Sequence, residues 1–114
     1  MIIKNYIDIS VNPNPHGIES KQLHNSEHAV IMHLLLMKGE ALKLHVTPVD
    51  VVFYVLEGKP SITVGDETIQ VSKDSLVESP KDIPHTIANN TDETVRVLVI
   101  KTPRPIQKTT ILNQ

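Results

Sequence analysis

The chain has 114 residues, enough for one domain around one core, with 39% apolar residues and a formal net charge of −2. That balance, with only Tyr6, Phe53 and Tyr54 as aromatics, offers neither a basic face nor a stacking platform, so nucleic acid is disfavoured as a partner. There is no cysteine, which excludes disulfides, thiolate chemistry and cysteine zinc sites, and no apolar run reaches bilayer-spanning length. A soluble cytoplasmic protein with no membrane partner is expected.

In chain order, MIIKNYIDI is rich in β-formers and predicts an N-terminal strand, followed by the proline-broken loop VNPNPHG, the two filling residues 1–17. IESKQLH is ambiguous between strand and helical turn, and NSE reads as a turn. HAVIMHLLLM is an apolar run ending at Lys38-Gly39. ALKLHV alternates, TP interrupts it, and VDVVFYVLEG is β-branched and aromatic, hence a strand. SITV and ETIQV flank Gly65-Asp66, a two-residue loop suited to a hairpin. SLVES, HTIAN and TVRVLVIK predict further short strands, separated by PKDIP and NTDE. The tail from 102 to 114 carries two prolines and is expected to wrap the surface or a partner subunit. Roughly nine or ten short strands punctuated by turns predict a single all-β domain over 1–114, a barrel or sandwich.

Residues two apart on a strand share a face. Lys43, His45 and Thr47 therefore point one way, and beyond the TP break Val51, Phe53 and Val55 form a second such set. Val52, Tyr54 and Leu56 point oppositely and are as apolar. A strand apolar on both faces is covered on both, which predicts a homodimer.

Spacing adds a second layer. From Gly39 to Gly58 the chain runs in register with G-x5-H-x-H-x3-E-x6-G, with His45 at the first histidine position, Thr47 at the second and Val51 at the glutamate. From Asp74 to Asn89 it follows G-x5-P-x-G-x2-H-x3-N, with Pro80, His85 and Asn89 matching and Asp74 and Asp82 in place of glycines. Aspartate tolerates the left-handed geometry for which glycine is used. These two segments resemble the motifs of the cupin superfamily. The resemblance implies a cupin-type double-stranded β-helix, or jelly-roll barrel, of all-β class.

The family's usual metal site is three histidines and one glutamate facing the barrel interior. By the resemblance, His45 and His85 are the surviving metal ligands of a degenerate motif, for a weakly held divalent transition metal (Fe, Mn, Ni or Zn). Glu78, Asp50 or His33 are the candidates to complete the set. As catalytic groups, His45 and His85 would serve acid–base chemistry with Glu78 as base or third ligand. Lys43 is a candidate clamp for an anionic group, and Thr47 and Phe53 are candidate pocket residues. His24 and His28 are expected to face solvent, His16 to do nothing chemical, and Asn89 to stabilise a turn.

Three functions follow. The first is a barrel that binds a small polar or anionic molecule through its degenerate metal site. The second is a metal-dependent dioxygenase or isomerase with a non-standard ligand set. The third is a non-catalytic dimeric sensor or scaffold. Fold does not choose among them; the site must.

Overall fold

Ten strands form within residues 1–112, the part of the chain that the computed structural model describes. They are β1 (Glu19–Asn25), β2 (Val30–Leu36), β3 (His45–Val46), β4 (Asp50–Glu57) and β5 (Ser61–Val64), then β6 (Glu67–Gln70), β7 (Leu76–Ser79), β8 (His85–Ala88), β9 (Val95–Thr102) and β10 (Thr110–Ile111). They pair antiparallel into two five-stranded sheets, ordered β1-β2-β9-β4-β7 and β10-β3-β8-β5-β6. The chain passes repeatedly from one sheet to the other, which is the expected jelly-roll barrel of all-β class.

Alternation in the sequence builds the core. Val51, Phe53 and Val55 of β4 and Val95, Val97 and Val99 of β9 point inward and are buried. Leu34 and Leu36 of β2 join them, and Ile62 of β5 and Ile87 of β8 face them from the second sheet. Phe53 is 1% exposed, and burying such a side chain contributes on the order of 1.5–3 kcal/mol. The opposite residues of β4, Val52, Tyr54 and Leu56, stay half-buried on the outer face.

The turn chemistry follows the residue types. Val64 pairs with Glu67 across Gly65-Asp66, the expected hairpin. Asp74 and Asp82, at the two motif glycine positions, take positive φ values of 69° and 65°. At Gly58 no substitute serves. Its φ is +82°, and a Cβ there would lie 2.5 Å from the Thr94 carbonyl oxygen.

Three local expectations are corrected. The N-terminal strand is instead a 3-10 turn at Tyr6–Asp8, because the Asn5 side chain caps it by accepting from the Ile7 N–H (3.0 Å). ALKLHV contributes a strand only at His45–Val46; Leu42 is pinned separately by its N–H to the Ile87 carbonyl (2.9 Å). The tail does not merely cover the surface. It returns as β10, where Ile111 pairs with His45, so it forms the edge strand beside that histidine. Asn113 and Gln114, the end of that predicted tail, lie outside the described residues. The ambiguous segment IESKQLH is strand from Glu19, and no helix among the described residues is long and apolar enough to cross a membrane.

Candidate functional site

His45 and His85 meet inside the barrel. They are direct cross-strand partners in the β3–β8 pair, so their side chains emerge on the same face, and the rings stand edge-on with centroids 4.4 Å apart. Phe53, from the facing sheet, presents its ring to His85 at 5.2 Å. The expectation that motif register brings the two histidines together holds in the geometry.

The two imidazoles are not equivalent. Both nitrogens of His85 are engaged: Nδ1 with the Ser79 hydroxyl at 2.6 Å and Nε2 with the Thr47 hydroxyl at 3.2 Å. All three residues are buried at 1% exposure. Burial pushes the His85 pKa down to about 3, helped by the nearby positive charges of His45 and Lys101. Among the described residues His45 engages only through Nδ1, which donates to the Lys43 carbonyl oxygen (2.7 Å). Burial lowers its pKa too, partly offset by that hydrogen bond.

A cavity of about 340 Å³ opens beside them. Its walls are mostly apolar, with Met32, Leu34, Leu42, Phe53 and Val99 among them, and its polar groups include His16, His45 and Lys101. Neither His16 nor Lys101 was among the candidates read from the sequence.

Lys101 continues the inward series Val95, Val97, Val99 of β9, so strand parity turns it into the barrel. No carboxylate among the described residues pairs with it. Desolvation lowers its pKa. The signal was present in TVRVLVIK, where the alternation ends on a lysine at an inward position.

His16 is delivered by the NPNPHG loop. Asn14 folds that loop on itself: its Oδ1 accepts from the His16 N–H (3.0 Å) and its Nδ2 donates to the Ile18 carbonyl (2.9 Å). The ring then lies 5.0 Å from His45, and its Nδ1 accepts from the Lys43 N–H (2.9 Å). Burial, then the charges of His45, Lys43 and Lys101, push its pKa down to about 4. His16, expected from the sequence to do nothing chemical, thus lines the cavity beside His45.

The remaining candidates fall elsewhere. Lys43 reaches the site only through its main chain; its side chain is exposed and does not line the cavity, because residues 42–44 are not strand and parity does not carry back from His45. Glu78 is exposed, since inward Val77 and Ser79 put it on the opposite face of β7, and Ser79 takes the place beside His85. Asp50 is exposed and accepts from the Lys81 N–H (2.8 Å). His33 is buried on the outer side of the first sheet, under the Tyr6 ring at 4.0 Å, and accepts from Arg96 Nε (3.1 Å). Burial, then the Arg96 charge, lowers its pKa to about 4. Asn89 is a turn anchor, as expected: its Nδ2 donates to the Leu36 and Glu93 carbonyls and its Oδ1 accepts from Thr91.

A divalent metal does not fit this donor set. His85 has both ring nitrogens committed to hydroxyls, the Thr47 hydroxyl is spent on His85, and Val51 offers no donor. The ammonium of Lys101 adds a positive charge near both His45 and His85, which opposes a cation there. Among the described residues no three histidine or acidic side chains converge. First-row metals want three or more strong N or O ligands.

Comparison with known proteins bears on the fold. The chain is 41% identical over 54 residues to the uncharacterized protein SCO3923 of Streptomyces coelicolor, a match spanning 47% of this chain and 50% of that one. It superposes on the crystal structure of TT1209 from Thermus thermophilus with a TM-score of 0.79 at 29% identity, over 92% of this chain and 100% of the other. The polyketide cyclase RemF of Streptomyces resistomycificus superposes with a TM-score of 0.85 over 100% of this chain and 87% of its own, but at 16% identity, which speaks to fold alone. A family profile described as "Cupin domain" matches residues 32–101, which contain both histidine motifs and the whole of β3 to β8. The chain belongs to the cupin domain family.

Proposed function

We propose that this protein binds a small anionic molecule in the cavity beside His45. The observation that carries this reading is Lys101: an inward ammonium, partly desolvated, with no carboxylate partner among the described residues. A cation in such a place is costly until an anion joins it. His16 and His45, which line the same cavity, are held toward their neutral forms, so Lys101 supplies charge and these two imidazoles supply hydrogen bonds. The apolar walls suit a ligand with a carboxylate head and a short hydrocarbon body. The cavity lies near the small end of ligand pockets, which run from about 300 to 1,000 Å³.

The test is calorimetric titration with a panel of short carboxylates and their uncharged amides. Carboxylates are expected to bind and amides to bind at least about tenfold more weakly, with Lys101→Met erasing the difference. Binding indifferent to ligand charge, or to Lys101, would refute the reading. The outer face of the β1-β2-β9-β4-β7 sheet, where Val52 and Tyr54 pair with Ile100 and Leu98 and Ile31 follows one strand further, supports a homodimer as the working state; a monomer mass by light scattering would remove it.

A further inference from the structure

The main chain of one residue, Lys43, fixes the protonation pattern of two imidazoles. A backbone N–H can only donate, so His16 Nδ1, which receives the Lys43 N–H at 2.9 Å, carries a lone pair. A backbone carbonyl can only accept, so His45 Nδ1, which sits 2.7 Å from the Lys43 oxygen, carries the hydrogen. In the neutral rings the remaining nitrogens are then opposite in kind. His16 Nε2 bears a hydrogen and donates; His45 Nε2 bears a lone pair and accepts. Neither Nε2 has a hydrogen-bond partner among the described residues, and both rings line the cavity with Lys101. The lowered pKa values of both histidines are consistent with the neutral state that this pattern requires.

The geometry points to a hydroxycarboxylate as the ligand: a carboxylate received by Lys101 and the His16 Nε2–H, and a hydroxyl that donates to His45 Nε2. This rests on the anion-binding reading above and sharpens it. The two rings are 5.0 Å apart between centroids, within the span of one small molecule. A hydroxyl on the carbon bearing the carboxylate or the next one keeps both polar groups within that span. The apolar walls formed by Met32, Leu34, Leu42, Phe53 and Val99 receive the rest of the molecule. A simple carboxylate would leave His45 Nε2 without a donor once water is displaced, and an unmet buried acceptor weakens binding. An amino acid would place an ammonium beside that of Lys101.

Three kinds of probe with one hydrocarbon tail separate the possibilities by calorimetric titration at neutral pH: 2-hydroxy-4-methylpentanoate as each enantiomer, its 2-methoxy ether, and 4-methylpentanoate. One enantiomer of the hydroxy acid is expected to bind at least about tenfold more tightly than the ether and the deoxy acid. Equal binding of all three would overturn the hydroxyl assignment while leaving the anion site standing. An ether as tight as the hydroxy acid would show that His45 is not accepting a hydrogen. Binding of none would overturn both readings. Independently of any ligand, nitrogen-15 NMR of the imidazoles should show His16 protonated at Nε2 and His45 at Nδ1. The reverse pattern at either ring would overturn the inference, and this measurement needs no variant to fold.

Discussion

The His85 ring is held between two hydroxyls while the His45 ring, 4.4 Å away, keeps one nitrogen free of protein partners among the described residues. Two histidines that the motif treats as a pair therefore do different work. His85 ties β8 to Ser79 at the end of β7 and to Thr47 after β3, and His45 faces the cavity.

His85→Leu should be a stability variant. It strands the Ser79 and Thr47 hydroxyls in an apolar interior, at a cost of about 2–4 kcal/mol. Urea unfolding measures it. An unchanged midpoint would mean that those hydroxyls have no dependence on the ring.

Elemental analysis of untagged protein purified without chelator should find transition metal far below one equivalent per chain. The reason is the donor set, with His85 saturated and the charge of Lys101 close by. A stoichiometric metal lost in His45→Ala would contradict it.

Acid should destabilise the fold, and the sign follows from the direction of the shifts. His16 and His33 are pushed down to about 4 and His85 to about 3, from an ordinary value of 6.5. The unfolded chain thus binds protons on these rings at pH values where the folded one does not. Their neutral-state contribution is fully present above pH 6.5 and is lost as pH falls toward 4 and 3. Between about pH 6.5 and 5, where ordinary carboxylates stay ionised, the melting temperature should already decline. His33→Leu, remote from the cavity, should make that decline shallower. A melting temperature flat across this window would show that the buried rings are not held neutral.

Gly58→Ala should cost at least about 2 kcal/mol, because the new methyl meets the Thr94 carbonyl at 2.5 Å on a backbone already at φ +82°. Asp82→Gly, at φ 65°, should stay within about 0.5 kcal/mol, relief of left-handed strain being offset by glycine's greater chain entropy. Comparable losses in the two variants would contradict this account.

Local pattern settled the barrel. Alternation in VDVVFYVLEG and TVRVLVIK, the Gly65-Asp66 hairpin and the aspartates at left-handed positions are each read within a few residues, because strand parity and turn geometry are local properties. The motif spacing likewise placed His45 and His85 in one interior, as their cross-strand pairing shows. What a histidine does there depends on partners far along the chain. His16 reaches Lys43 from 27 positions away, and Thr47 reaches His85 from 38. Parity could not place Lys43 across a segment that is not strand, nor choose between Glu78 and Ser79 at a strand end beside a proline. Hydrogen-bond saturation and cavity access are sums over all neighbours, so tertiary structure alone showed His85 held by two hydroxyls and His16, His45 and Lys101 lining one cavity.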